Sequence, residues 1–197
     1  MNRRISFFDF DGTITTKDTL LEFVKHSKGS FRFYLGFLLT SPWMVAYKLK
    51  VISNQKAKEQ FLRFFFRNYP LEKFRQHCES FAQQGIPPLI RPKALQEIKK
   101  LQEAGAEVVI VSASPENWIR PWAEQIGVQL LSTRLVIKED KVTGRIMGRN
   151  CHGEEKVRRI KEAYSLTGYD EIYAYGDTSG DKPMLALANI SFYKPFR

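Results

Sequence analysis

Two aspartates separated by one residue are the part of this sequence with the clearest chemical potential. Asp9 and Asp11 belong to the stretch Asp-Phe-Asp-Gly-Thr, at the end of the apolar run Arg4–Asp9, which is a predicted strand. Two like charges so close together are costly unless a cation or a proton lies between them. The pair indicates a nucleophile beside an acid–base group, or a magnesium site that takes carboxylates and phosphate oxygens. A polar turn at a strand end is the alternative.

A serine and a lysine could serve phosphate chemistry further along the chain. Ser112 follows the apolar run Val108–Val111, and a hydroxyl with free backbone N–H groups at a strand-to-helix junction can hold a phosphate oxygen. Ser114 and Pro115, two and three residues further on, are typical of a helix start with Ser114 as the N-cap. Lys156 lies one turn into a predicted helix, where a lysine is usually solvated, so by itself it indicates little.

A second pair of carboxylates follows the predicted strand Glu171–Tyr175. Asp177 and Asp181 lie in the stretch Gly-Asp-Thr-Ser-Gly-Asp. Asp181 can cap the helix that Pro183 begins, whereas Asp177 has no such role. A bare carboxylate at the end of a strand suggests a cation.

The elements that must position these groups alternate between strand and helix, which predicts an α/β fold with a parallel sheet covered on both faces. In such a sheet, the ligand crevice lies at the carboxyl ends of the strands. Four groups of residues fall there, namely the pair Asp9 and Asp11, Ser112, Lys156, and the pair Asp177 and Asp181. About 70 residues after the first strand lack a strand pattern and are predicted to be all-helical, with helices at Thr19–Val24, Phe31–Lys50, Gln55–Phe66 and Leu71–Gln83. The later predicted strands are Glu107–Val111, Val128–Leu131, the hairpin Leu135–Ile137 and Val142–Ile146, Glu171–Tyr175 and Ile190–Tyr193. The later predicted helices are Pro92–Ala104, Glu116–Ile126, Glu154–Tyr164 and Pro183–Ala188.

Length and composition limit the class of protein. The chain has 197 residues, and 43% of them are hydrophobic, which excludes disorder and predicts one domain with a smaller insert. No charge-free run reaches the roughly 20 residues of a membrane span, and no signal peptide is predicted. Two cysteines cannot build a disulfide framework, so a reducing, cytoplasmic location is expected.

The net charge of +10 favours anionic partners, which can be phosphorylated substrates, nucleic acid or an anionic membrane surface. Most of the excess lies between Thr15 and Ile90, where twelve lysines and arginines stand against five acidic residues. Nucleic acid is not an expected partner, because the sequence contains no recognition motif.

Taken together and in this order, the four groups resemble the four motifs of the haloacid dehalogenase superfamily. The insert after the first motif resembles the cap of the phosphoserine phosphatase-like branch. The stretches VSASPE, CHGEEKVRRI and YGDTSGDKPML are similar to small bacterial hydrolases of that branch. The resemblance implies a Rossmann-like three-layer core made of residues 1–14 and 89–197, with a helical cap made of residues 15–88.

The resemblance also implies an activity, which is phosphomonoester hydrolysis through an aspartyl phosphate. Asp9 is then the nucleophile, and Asp11 protonates the leaving oxygen and later deprotonates the attacking water. The presence of Asp11 favours a phosphatase or a phosphomutase over a dehalogenase, and the short helical cap favours a phosphatase. Ser112 and Lys156 are expected to bind the phosphoryl oxygens.

Mg²⁺ is the cofactor that the resemblance implies. Its expected ligands are a carboxylate oxygen of Asp9, the backbone carbonyl of Asp11 and the side chain of Asp177. Asp181 is expected to support this set, directly or through water.

Three positions depart from the pattern of phosphoserine phosphatases. Those enzymes carry a glutamate where this chain has Asp18, and usually an asparagine where it has Gly180. Their cap arginine has no convincing match here, although Arg63 and Arg67 lie nearby. Asp18 is shorter than that glutamate, which disfavours a contact with a seryl ammonium.

The centre of the predicted cap is a run of fifteen uncharged residues, Phe33–Tyr47, flanked by Arg32, Lys48 and Lys50. It is too short to span a bilayer, and Pro42 is expected to break a helix. The run is either the core of a small helical bundle or an interfacial segment that binds anionic lipid. Similarity to phosphatidylglycerophosphate phosphatases supports a lipid phosphate as substrate.

The sequence therefore supports a Mg²⁺-dependent phosphatase for a small phosphomonoester or a lipid phosphate. If the substrate is a lipid phosphate, we also expect weak peripheral contact with an anionic membrane. A non-catalytic phosphoryl-binding module that retains the fold is the alternative function.

Overall fold

The computed structural model describes residues 3–197. The strands of the described chain are β1 (Arg4–Phe8), β2 (Tyr69–Pro70), β3 (Glu107–Pro115), β4 (Gln129–Thr133), β5 (Leu135–Lys138), β6 (Lys141–Ile146), β7 (Glu171–Gly176) and β8 (Ile190–Tyr193). Its α-helices are α1 (Thr19–Lys28), α2 (Ser30–Lys48), α3 (Asn54–Phe66), α4 (Leu71–Ser80), α5 (Pro92–Glu103), α6 (Glu116–Gln125), α7 (Glu154–Ala163) and α8 (Lys182–Leu185). None of the helices within residues 3–197 combines the length and the apolar character that crossing a bilayer requires.

A five-stranded parallel sheet in the order β4-β3-β1-β7-β8 forms the middle layer. Side chains alternate across β1, so Ile5 and Phe7 pack on one face against a cluster that includes Ile160 of α7. Phe8 packs on the other face, in a cluster that includes Ile119 of α6. Helices therefore cover both faces, which confirms the expected α/β, Rossmann-like three-layer fold.

The second strand of the sheet is longer than the sequence indicates. β3 continues past Val111 to Pro115, with a register shift between Ser112 and Pro115. Pro115 is thus the N-cap of α6, and Ser114 is not. The Ser114 N–H instead donates to the Ser112 hydroxyl at 3.0 Å.

Residues 15–88, called the insert below, contain α1–α4 and a core of aromatic rings. Phe23 of α1 lies at its centre, with ring centroids 4.5 Å from Trp118 of α6 and 5.5 Å from Phe66, Phe74 and Phe81. Because Trp118 belongs to the helix that follows β3, the insert shares one apolar cluster with the layer beneath it.

One feature of the insert differs from the all-helical expectation. Tyr69 and Pro70 form the two-residue strand β2, which pairs antiparallel with β6 in a three-stranded sheet β2-β6-β5. The hairpin also packs on α3, where a Cβ at Gly144 would lie 2.6 Å from the Cα of Arg63. The β5–β6 hairpin therefore attaches the insert to the rest of the chain.

Helix α2 runs through Pro42 without a break, contrary to the sequence expectation. Proline lacks the N–H that would bond to the carbonyl four residues earlier, which is that of Leu38. The Ser41 hydroxyl donates to that carbonyl at 2.7 Å. The neighbouring serine satisfies the freed acceptor, so the helix continues.

Candidate active site

A tight turn carries the first motif away from the sheet. The Asp9 N–H donates to the carbonyl of Tyr175 at 2.9 Å, which holds the end of β1 against β7. Gly12 has φ +87°, and a Cβ there would lie 2.6 Å from Oδ2 of Asp177. Only glycine leaves room for the Asp177 carboxylate to approach the turn.

A buried lysine joins two of the carboxylates. The Lys156 ammonium lies 2.5 Å from Oδ1 of Asp9 and 2.8 Å from Oδ1 of Asp181. The three residues are 1%, 6% and 2% exposed, respectively. A buried ion triad is tolerated only when its charges are paired and hydrogen-bonded, and both conditions hold here.

Thr13 connects the Asp9 carboxylate to Asp177, which follows β7. Its hydroxyl lies 3.1 Å from Oδ2 of Asp9 and 3.3 Å from Oδ1 of Asp177. Carboxylate oxygens of Asp9, Asp177 and Asp181 lie within 4.8 Å of one another. Oxygen donors at this spacing suit a hard divalent cation such as Mg²⁺. Asp177 is also paired with a cation of the chain, because its Oδ2 contacts the Arg197 guanidinium.

Asp181 has little free ligand capacity. Its Oδ1 accepts from Lys156, and its Oδ2 accepts from the Thr178 hydroxyl at 2.8 Å and from the N–H groups of Thr178 and Asp177 at 2.9 and 3.2 Å. The residue therefore holds the loop after β7 in shape. It does not cap a helix that begins at Pro183, because α8 begins at Lys182 and has no side-chain cap.

Asp11 lies at the edge of this cluster and is held from two sides. Its Oδ1 accepts from the N–H and hydroxyl of Thr19 at 2.7 and 2.6 Å, and its Oδ2 accepts from the Ser112 hydroxyl at 3.3 Å. Thr19 is the first residue of α1, so the insert itself orients this carboxylate. The contact also links the first and second sequence motifs.

Burial and charge set the protonation of the cluster. Burial raises the pKa of the Asp9 carboxyl to about 7, although the Lys156 ammonium opposes this rise. Burial lowers the pKa of Lys156, but the adjacent Asp9 and Asp181 carboxylates outweigh it and raise the pKa above its usual value. The lysine therefore remains charged, while the proton affinity of Asp9 depends on what else binds beside it.

A pocket of about 250 Å³ opens above these groups. Asp9, Asp11 and Lys156 line its floor, together with Ala113 and Ser114. Its opposite wall is apolar and comes from the insert, with Leu20, Leu21, Phe37, Met44, Tyr47 and Phe61. The insert thus covers the carboxyl edge of the sheet with a largely hydrophobic surface.

The cation that the insert places in this pocket is Lys58. Its ammonium donates to the carbonyl of Ala113 at 3.0 Å and lies 3.4 Å from Oδ1 of Asn150. Burial lowers the pKa of Lys58, and the charges of Asp18 and Asp11 counteract the shift. Neither Arg63 nor Arg67 is among the residues that line the pocket.

The departures from the phosphoserine phosphatase pattern have local explanations. Asp18 is the N-cap of α1, and its Oδ1 accepts from the N–H groups of Leu20 and Leu21 at 2.9 and 3.3 Å. At Gly180, a Cβ would lie 2.1 Å from the His152 ring, so the imidazole occupies the space of a larger side chain.

The structure brings Asp9, Asp177, Asp181 and Lys156 into one cluster, with Asp11 beside it. Ser112 is fully buried below the pocket floor and reaches the site through its bond to Asp11. Sequence reasoning missed three further residues: Thr13, Thr19 and Lys58. Thr13 lies inside the first motif, so its position offered a signal. Thr19 and Lys58 are ordinary helix residues whose sequence spacing does not indicate the site.

Comparison with known proteins adds family relations to this geometry. A family model described as haloacid dehalogenase-like hydrolase matches residues 6–186. Protein CicA of Caulobacter vibrioides is 37% identical over 96% of this chain and 85% of its own length. A probable phosphatase of Mycobacterium tuberculosis is 28% identical over 99% of this chain and 70% of its own. A phosphoserine phosphatase solved as an analogue of its phospho-aspartyl intermediate has a similar fold. Its TM-score is 0.71 at 18% identity, covering 97% of this chain and 86% of that one.

Proposed function

Because the chain belongs to the haloacid dehalogenase-like hydrolases, we propose that it is a Mg²⁺-dependent phosphomonoesterase that resembles phosphoserine phosphatases. The observation that carries the proposal is the buried cluster of Asp9, Lys156, Asp177 and Asp181, with Asp11 on its edge. The membership confirms the family resemblance that the four motifs suggested.

Asp9 is the proposed nucleophile. One carboxylate oxygen attacks phosphorus, the bond from phosphorus to the leaving oxygen breaks, and an aspartyl phosphate remains. Lys156 at 2.5 Å stabilises the ionised carboxylate before the attack and the phosphoryl oxygens during it. Burial favours the protonated form of Asp9, so a positive partner is needed to keep the nucleophile ionised near neutral pH.

Asp11 is the proposed acid and base. In the first step its proton goes to the leaving oxygen, which departs as an alcohol. In the second step Asp11 takes a proton from water as that water attacks the aspartyl phosphate, which releases inorganic phosphate and restores Asp9. The bonds from Thr19 and Ser112 hold Asp11 in place for both transfers.

Mg²⁺ is proposed to bind between Asp9, the backbone carbonyl of Asp11 and Asp177, with Asp181 as the supporting residue. Thr13 orients the two facing carboxylates, and Gly12 leaves the space that Asp177 needs. When bound, such a cation supplies positive charge to the phosphoryl oxygens and lowers the pKa of a coordinated carboxyl.

Phosphate binding is assigned to Lys156 and to the segment that begins at Ser112. Ala113 and Ser114 line the pocket at the carboxyl end of β3, and Ser112 holds this bend through the Ser114 N–H. The substrate is a small phosphomonoester or a lipid phosphate such as phosphatidylglycerophosphate. The apolar wall opposite Asp9 fits the second class.

The test is hydrolysis of para-nitrophenyl phosphate by the purified chain, with and without Mg²⁺ and after chelation. We expect turnover that requires Mg²⁺ and that Asp9→Asn abolishes, because an amide is a poor nucleophile. Asp140→Asn, the same change in the turn between β5 and β6, is the control and should retain activity. Phosphate binding without turnover by the unaltered chain would favour the non-catalytic module and contradict the proposal.

A further inference from the structure

One face of α2 exposes large apolar side chains to solvent. Phe31 is 81% exposed and Leu38 is 68% exposed, whereas Phe37 and Trp43, on the two flanks of this face, are each about two-fifths exposed. The residues of this surface, called the α2 outer face, are Phe31, Tyr34, Leu35, Leu38 and Val45. The structure thereby excludes a closed bundle core for this segment.

The outer face has a regular geometry. Its members recur at three-, four- and seven-residue intervals, so they project from one side of the helix. The opposite side carries the buried stripe of Phe33, Gly36 and Thr40. A Cβ at Gly36 would lie 2.3 Å from the Phe65 ring, so glycine lets α3 pack closely along this narrow stripe. A helix that is apolar on every side normally has a cover on every side, and the outer face has none within the described chain.

Charge indicates what that cover is. The sequence from Ser30 to Lys50 contains no aspartate or glutamate, and Arg32, Lys48 and Lys50 are all exposed. Lys28 and Arg32 also line a shallow pocket with Leu35 and Phe64 at the side of the helix. A second copy of the chain would bring two sets of these cations together, which like-charge repulsion disfavours. An anionic lipid surface offers an apolar layer beneath a negative one, which matches both features.

We propose that the α2 outer face docks on an anionic bilayer, with the helix lying in the plane of the interface. The apolar side chains then enter the acyl boundary, and Arg32, Lys48 and Lys50 remain at the level of the headgroups. Phe37, Met44 and Tyr47 of the same helix line the active-site pocket. These three side chains project from one flank and the opposite side of the helix, so docking leaves α2 between the lipid and the pocket.

Cosedimentation with lipid vesicles tests the docking without any need for catalysis. We expect the chain to bind vesicles of equal parts phosphatidylglycerol and phosphatidylcholine at low salt. Binding should weaken at high salt, and phosphatidylcholine alone should bind little. Leu38→Glu should abolish binding, and Lys48→Glu with Lys50→Glu should weaken it about fivefold or more for each cation lost. Met147→Glu is the control, because Met147 is 52% exposed but lies outside the insert.

Tryptophan fluorescence tests whether α2 is the element that meets the lipid. Trp118 and Trp122 are 0% and 5% exposed, so Trp43 is the tryptophan that lipid can reach. Brominated acyl chains should quench the fluorescence of the bound protein, and Trp43→Phe should remove the quenched component. Quenching that persists in Trp43→Phe would place a different surface on the membrane.

Three results would overturn the docking proposal. The first is no binding to anionic vesicles at low salt, and the second is equal binding by Leu38→Glu and Met147→Glu. The third is a dimer in light scattering that Leu38→Glu dissociates, which would make a second copy the cover. Hydrolysis of para-nitrophenyl phosphate without vesicles should be unchanged in Leu38→Glu, so this outcome is independent of the proposed catalytic function.

Discussion

At the scale of single residues, the carboxylates of the site differ in the groups that bind them. Asp9 and Asp181 are paired through Lys156, whereas Asp11 is bonded to neutral hydroxyls and one N–H. The two aspartates of the first motif, only two residues apart, therefore have different surroundings. A charge-paired carboxylate suits a nucleophile, and one held by neutral donors at the pocket floor suits proton transfer.

This difference predicts the behaviour of Asp11→Asn. The variant should form the aspartyl phosphate but hydrolyse it slowly, because no base activates the water. We expect turnover to fall about 10²–10⁴-fold, and mass spectrometry after an acid quench should detect a phosphorylated chain. Turnover at the unaltered rate would remove Asp11 from the proton transfers, and Asp140→Asn should behave as the unaltered chain does.

Gly12→Ala tests the close approach between the first motif and Asp177. The new Cβ meets the carboxylate at 2.6 Å and also forces alanine to φ +87°. We expect a loss of roughly 1–3 kcal/mol in the free energy of unfolding, together with weaker Mg²⁺ binding. Urea denaturation and calorimetry measure the two effects.

Gly148→Ala is the matched control for that experiment. Gly148 has φ +72°, but nothing lies within 4 Å of the position of its Cβ. In the control variant, the free energy of unfolding should fall only by the cost of holding alanine at a positive φ, and Mg²⁺ binding should be unchanged. Equal effects of the two substitutions would mean that the contact with Asp177 does not matter.

At the scale of elements, helix α7 must present Lys156 to the sheet, and Glu155 anchors it. The buried Glu155 carboxylate accepts from Arg158 at 2.6 Å and from Arg159 at 3.0 Å. The guanidinium of Arg159 also donates to the carbonyls of Ser132 and Arg149. Arg159 thus holds α7 against the end of β4. The next residue along the helix from Glu155 is Lys156, so this network positions the Lys156 ammonium beside Asp9 and Asp181.

Glu155→Gln should therefore cost stability in a pH-dependent way. Hydrogen bonds and charge from Arg158 and Arg159 lower the pKa of Glu155 from 4.5 to about 2. A depressed pKa in the folded state contributes stability above pH 4.5, which is lost as the pH falls towards 2. We expect the free energy of unfolding to fall by about 1–2 kcal/mol near neutral pH. The loss is no larger because Arg158 is half exposed, so solvent screens its ion pair with Glu155.

Urea denaturation over a pH series measures this difference. The curves for Glu155→Gln and the unaltered chain should converge as the pH approaches 2. Glu162→Gln changes a 60% exposed partner of the same Arg158 and should have little effect. A pH-independent difference for Glu155→Gln would contradict the assigned cause.

At the scale of the whole molecule, the cluster joins distant parts of the chain. Asp9 follows β1, Asp177 follows β7, and Lys156 belongs to α7, so the cluster exists only when the sheet is assembled. A cation that binds these carboxylates stabilises the folded chain alone. The insert adds the contact from Thr19 to Asp11 and the covering wall of the pocket.

Mg²⁺ should therefore raise the melting temperature, and chelation should reverse the increase. At a concentration about a hundredfold above the dissociation constant, the gain is about 2.7 kcal/mol, or roughly 5–10 °C for a chain of this size. Asp177→Asn should remove the increase, and Asp140→Asn should retain it. An increase that persists in Asp177→Asn, measured by calorimetry, would place the cation elsewhere.

The sequence by itself determined the parallel sheet, its covering helices and the residues that meet at its carboxyl edge. These follow from short-range patterns, since apolar runs of strand length end at Asp9, Ser112 and Asp177. It also supported the family, because four motifs in order are specific even where each one alone is weak.

Only the tertiary structure decided which insert residues meet the site and which surface is left open. Arg63 and Arg67 were the candidates from sequence, but α3 turns Lys58 into the pocket and packs Arg63 against Gly144. The strand β2 depends on a partner in β6, more than 70 residues away along the chain, which no local pattern reveals. The apolar run in α2 was compatible with a core or an interface, because hydrophobicity does not specify how many neighbours cover a helix. The fold covers α2 along one narrow stripe and leaves its outer face exposed.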